Sequence, residues 1–265
     1  MRSVLGVTAL LAILICGSCH GGGETKSGTT EERKRAYILF VDLTLSLNDV
    51  QKASLDRAVG ELFAAMPPES RIVAYPIAAE VQNTGRLLDA KLPDEHNAPS
   101  LLALRKMKAQ LPAVLRANMK RMLETGPSSG ALRRTCIADA LRQASNTAEQ
   151  FADRDVEVVL ISDMLEDCPN WLLNGELSME KPTIAAEMNL IGKLPRDRQL
   201  LDLRGARVTA IIPPAGLSEA KTPRPGVDAV REFWRAVLRH CNLGPNGYSL
   251  DTALPEHLRL QKTRH

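Results

Sequence analysis

Two apolar runs do most to limit what this chain can become. Ala36-Tyr37-Ile38-Leu39-Phe40-Val41 is apolar throughout, and Val156-Glu157-Val158-Val159-Leu160-Ile161-Ser162 is strongly β-branched. Runs of this length that are continuous rather than alternating suit strands covered on both faces, the condition of a parallel sheet. Residues 71–79 (RIVAYPIAA) and 206–212 (ARVTAII) read the same way. Helical patterns fall between them. Leu55, Ala58, Val59, Leu62, Phe63 and Met66 recur at three- and four-residue spacing, and Pro67-Pro68 stops that helix. Pro99 opens a long helix with Leu104, Met107, Leu111, Leu115 and Met122 on one face, and Pro112 inside it predicts a kink or a split. Ile137, Ala140, Leu141, Ala144 and Ala148 mark another helix, residues 183–194 a further one, and Val227, Val230, Phe233, Trp234, Val237 and Leu238 a last one. Residues 80–98 read as a strand or loop excursion. Strands that alternate with helices of this length predict an α/β domain: a doubly wound, mostly parallel sheet with helices on both faces.

The first segment speaks to compartment. Met1-Arg2 is weakly basic, residues 4–15 are apolar or small, and Cys16-Gly17-Ser18-Cys19 leads into polar, glycine-rich sequence. That core is too short for a permanent membrane span and suits a secretory signal. Small Gly17 and Ser18 before Cys19 resemble a bacterial lipobox, with Cys16 standing where such motifs usually carry Leu. The resemblance implies that Cys19 is acylated and becomes the mature N-terminus, on a protein of the bacterial cell envelope facing the periplasm. His20, rather than Asp, after that cysteine points to the outer membrane. The expected organisation is a signal peptide over 1–18, a flexible tether over 19–34, one domain over 35–243 and a polar, loose C-terminal tail over 244–265.

Composition removes several functions. With 2 Trp, 3 Tyr and 4 Phe the chain lacks the aromatic platforms on which sugars and single-stranded nucleic acids stack. A net charge of +3 from 34 basic and 31 acidic residues gives no footprint for nucleic acid. The lysines and arginines on the outer face of the helix opened by Pro99 read as a solvated surface. There is no Gly-x-Ser-x-Gly elbow, Walker loop or Gly-x-Gly-x-x-Gly, and none of the five histidines pairs at ligand spacing.

In open α/β sheets ligands bind at the carboxyl ends of the strands. The first apolar run ends in Asp42, Thr44 and Ser46, the later one ends in Asp163, and Thr135 precedes a helix start. All five are hard oxygen donors, the set that Mg2+ prefers, with Mn2+ or Ca2+ as alternatives. Helix capping and turn formation would use the same residue types, Ser46 and Asp163 above all. The arrangement resembles the metal-ion-dependent adhesion site of von Willebrand factor A domains, with Thr44 where the family places a first Ser. Thr135 is the looser match, and Ser128 or Ser129 could stand in its place. The resemblance covers residues 36–241 and implies a metal on the upper rim of the sheet and a protein partner whose Asp or Glu completes the metal's shell, rather than catalysis.

Three cysteines remain besides Cys19. Cys136 follows Thr135 and Cys168 lies five residues beyond Asp163, so a Cys136–Cys168 bridge is expected if both loops meet at the rim, with pairings through Cys241 as competitors. Among Cys136, Cys168 and Cys241 no two stand at Cys-x-x-Cys spacing, so no zinc site is expected. The rival reading is a phosphatase resembling the haloacid dehalogenase superfamily, with Asp42 as nucleophile and Asp163 or Asp167 holding magnesium; Thr44 stands where most of those enzymes place an acid. A third is a metal-free scaffold of the same fold.

Overall fold

The computed structural model describes residues 33–43, 49–78, 84–125, 134–166, 168, 184–212 and 226–259. Signal peptide, Cys19 and all but the last two residues of the tether lie outside that set, as do Thr44, Ser46, Ser128, Ser129 and Asp167.

The first strand, β1 (Arg35–Asp42), is buried from Ala36 onward and lies at the centre of the sheet. On its two sides run β2 (Arg71–Ile77) and β4 (Asp155–Ile161), both parallel to it. An antiparallel edge strand, β3 (Leu88–Lys91), pairs with β2. On the far side β6 (Arg207–Ile211) pairs with β4, and β8 (Tyr248–Asp251) with β6. The order is thus β3-β2-β1-β4-β6-β8, parallel except at β3. Two short strands, β5 (Leu201–Asp202) and β7 (Cys241–Asn242), form a separate parallel pair.

Successive side chains of a strand point to opposite faces, and β1 shows what that does here. Ala36, Ile38 and Phe40 join one hydrophobic layer; Tyr37, Leu39 and Val41 join the other. The first layer is closed by α3 (Ile137–Ala148), α4 (Ile184–Gly192) and α5 (Val227–Leu238). The second is closed by α1 (Asp49–Ala65), α2 (Ala98–Thr125) and α6 (Glu256–Arg259). An unbroken apolar strand is the sequence cost of being covered on both sides, and the doubly wound α/β architecture expected from it is the one found.

Two details differ from expectation. Of the kink or split expected at Pro112, the split is not found: helix α2 runs from Ala98 to Thr125 as one element. Its start is fixed by Asn97, whose Oδ1 accepts the Ser100 amide at 2.9 Å. Leu111 and Leu115, on either side of the proline, are buried against the sheet, and their packing holds the helix across the missing amide. The tail expected to be loose over 244–265 instead supplies β8, and Leu250, Leu254 and Leu258 are buried. Leu250, Leu254 and Leu258 recur every fourth residue in otherwise polar sequence, and each finds a place in the core. No helix among the described residues is long and apolar enough to cross a membrane.

Candidate metal-binding rim

Strands β1 and β4 are parallel and in register, with Val41 beside Ile161, so the chain leaves both at the same end and Asp42 lies next to Ser162. Asp163 follows one residue later, at that same end. Asp42 is only 3% exposed. Its Oδ2 accepts a hydrogen bond from Ser162 Oγ at 2.7 Å and another from Thr135 Oγ1 at 3.2 Å. Thr135 and Ser162 are themselves buried. A buried carboxylate that is not hydrogen-bonded is costly, and the two hydroxyl donors satisfy Asp42 and hold it aimed.

Thr135 does not cap the helix behind it. Cys136 occupies the N-cap position of α3 and makes no side-chain cap. That duty falls to Glu166, whose Oε2 accepts the Ala138 amide at 2.9 Å and whose Oε1 accepts the Cys168 amide at 3.2 Å. Glu166 is 6% exposed, and burial pushes its carboxyl up to about 7, against the pull of the backbone amides. Asp163 is half-buried and its Oδ1 accepts the Leu165 amide at 3.1 Å, so the turn-forming role open to it in sequence is one that it fills.

The turn that carries Asp163 is held from both ends. Met164 is a fully buried residue at φ 61°, a left-handed conformation that non-glycine residues adopt only under constraint. Its amide donates to Ser162 Oγ at 2.9 Å, and its carbonyl accepts Trp234 Nε1–H at 2.8 Å. Trp234 comes from α5, so a helix on one face of the sheet sets the path of a rim loop.

A disulfide joins Cys136 to Cys168, with Cα atoms 5.3 Å apart. Cys241 is free, and burial pushes its thiol up to about 12, so little thiolate is present to compete for either partner. The bridge and Glu166 together fasten the loop bearing Thr135 to the loop bearing Asp163.

Of the five residues picked out as metal ligands, the structure brings Asp42, Thr135 and Asp163 to one end of the sheet, Asp42 and Thr135 in direct contact. Thr44 and Ser46 lie outside the described residues. Every polar side chain of Asp42, Thr135, Ser162 and Asp163 offers oxygen only, a donor set that fits a hard divalent cation. Ser162 and Glu166 were given no role from sequence. Ser162 could have been found from the register of two adjacent parallel strands; Glu166 could not, because the amide it caps lies 28 residues away.

No family model matches the chain, and no curated protein does. Among solved structures it is similar to the pilus adhesin SpaC of Lactobacillus rhamnosus GG, at 11% identity and a TM-score of 0.44, over 83% of this chain and 28% of the adhesin. It is similar to the manganese-loaded TRAP protein of Plasmodium vivax at 12% identity and a TM-score of 0.38, over 87% and 72%. A von Willebrand factor type A structure from Catenulispora acidiphila shares 12% identity and a TM-score of 0.35, over 78% and 43%. This chain thus spans less than half of the first and third. By its own strand order and two helical layers the described body is an α/β domain, and the structures to which it is similar include von Willebrand factor type A domains.

Proposed function

We propose that this protein is an exported lipoprotein, anchored through Cys19, whose α/β domain uses a divalent cation on its rim to bind a protein partner. The cation is Mg2+, or Mn2+ or Ca2+ in its place, and Asp42, Thr44, Ser46, Thr135 and Asp163 are the residues that would hold it. Bound there, it would supply a Lewis-acidic position open to a carboxylate from the partner.

One observation carries the reading: a buried carboxylate at the end of the central strand accepts two buried hydroxyls, with a second carboxylate leaving the neighbouring strand at the same end. Thr135 and Ser162 keep Asp42 in a single orientation, and the turn at Met164 sets where Asp163 stands. An apolar cleft of about 250 Å³ opens beside Asp42, lined by Leu55, Val59, Leu115, Met119 and Leu123, with Leu123 half exposed. It would receive an apolar side chain next to the metal-bound carboxylate. With Asp42 3% exposed and its Oδ2 taken by two hydroxyls, an attacking role for it on phosphorus has little support.

Calorimetric titration of the full chain with Mg2+ and Mn2+ tests the metal. Binding near one equivalent, lost in both Asp42→Ala and Thr135→Ala variants of native circular dichroism, is the expected result. Turnover of a phosphate ester would favour the phosphatase, and absence of any binding the scaffold. Capture of one envelope protein, abolished by chelator, tests the partner. Cys19→Ala should move the protein from the membrane fraction to the soluble one.

A further inference from the structure

Cys136, Glu166 and Cys168 place two sulfurs and a carboxylate oxygen within 4.8 Å of one another. Cys136 and Glu166 are buried and Cys168 is half-buried, so the cluster opens to solvent on one side. Asp139, of like sign, raises the Glu166 carboxyl further. Oε1 accepts the Cys168 amide and Oε2 the Ala138 amide, and the Ile137 amide also draws on the carboxylate. A buried carboxylate is an unusual neighbour for a disulfide, and with the two sulfurs it makes up a set of cation ligands.

We propose that, once the disulfide is reduced, Cys136, Cys168 and Glu166 form a second metal site, for a thiophilic divalent cation such as Zn2+. An external dithiol supplies the two electrons and two protons and becomes a disulfide itself, while the sulfur–sulfur bond between Cys136 and Cys168 breaks to give two thiols. The cation then displaces both thiol protons to solvent and binds the two thiolates and the carboxylate, with water as fourth ligand. In a tetrahedral zinc site each sulfur lies about 2.3 Å from the metal, so the two sulfurs stand roughly 3.8 Å apart. On Cα atoms 5.3 Å apart, rotation about χ1 reaches that separation. Sulfur ligation separates this cluster from the all-oxygen rim, which suits harder ions. The ligands come from segments about 30 residues apart, so no Cys-x-x-Cys spacing announces them.

The inference does not depend on the magnesium reading, and the test keeps the two apart by using Co2+, whose thiolate charge-transfer absorption reports sulfur ligation alone. The full chain, reduced by a dithiol that is then removed without air, should bind one equivalent of Co2+ with that absorption, and Zn2+ should displace it. The oxidised chain and reduced Cys168→Ser should lack it, Glu166→Gln should bind Co2+ at least tenfold more weakly, and Cys241→Ser should behave as the parent. A reduced chain that gives no absorption, or that has lost its native circular dichroism, overturns the proposal. So does absorption that persists unchanged in urea or in Glu166→Gln, which would mark adventitious thiol binding.

Discussion

Ser162 Oγ bridges two strands' worth of rim: it donates to Asp42 Oδ2 at 2.7 Å and accepts the Met164 amide at 2.9 Å. One hydroxyl thereby orients the carboxylate that ends β1 and starts the turn that ends β4. Ser162→Ala removes one of the two hydroxyl donors to Asp42 Oδ2 and the acceptor of the buried Met164 amide, so unfolding in urea should show a loss of about 1–3 kcal/mol. Divalent-cation affinity should fall as well. A variant of unchanged stability would mean that the hydroxyl is not holding Asp42.

Trp234→Phe keeps the ring in the core but removes the donor to the Met164 carbonyl. The expected cost is about 1–3 kcal/mol, because that carbonyl is buried beneath α5. Cation binding on the rim should weaken in parallel, since the left-handed turn at Met164 loses its outer restraint. Unchanged binding in a folded variant would show that Asp163 takes its position without help from α5.

Reduction of the Cys136–Cys168 bridge should lower stability in metal-free buffer. The bridge spans 32 residues, and the chain-entropy argument for a loop of that size gives about 3–4 kcal/mol. Denaturant unfolding with and without a dithiol measures it, and Cys241→Ser should leave the difference unaltered. A difference that vanishes in Cys241→Ser would mean that the bridge in solution is another one.

Glu166 gives the fold a pH dependence of known sign. Burial raises its folded carboxyl from 4.5 to about 7, so its neutral form is the one the fold favours. The associated stability is whole below about pH 4.5 and is lost as pH climbs through about 7, at most about 3 kcal/mol in all. Glu166→Gln cannot ionise, and it accepts only one of the two amides, so it should be less stable than the parent at pH 5. That gap should narrow by pH 8. Urea midpoints at the two pH values decide it; a gap that widens with pH contradicts the burial argument.

The parts of the fold that declare themselves in sequence are those whose residues are apolar because both sides are covered. Strands β1 and β4, and helix α5 with Phe233 and Trp234, are plain on that ground alone. Strand β8 escapes because Tyr248-Ser249-Leu250-Asp251 is short, at an edge, and apolar on one side only. Pro112 does not split α2, because the burial of Leu111 and Leu115 outweighs the one lost amide. At the rim, Asp42, Thr135 and Asp163 stand out by chemistry and position. Ser162 and Glu166 do not, since what they do is set by register and by contacts with distant backbone.

The central placement of β1 has a mechanical consequence. The strand is reached directly from Arg33, and it is clamped along its length by β2 over residues 36–42 and by β4 over residues 35–41. Any tension on the preceding segment therefore pulls the strand lengthwise between two parallel neighbours, whose bonds must slip together rather than peel one by one. Force applied there runs along β1 to Asp42 at its far end.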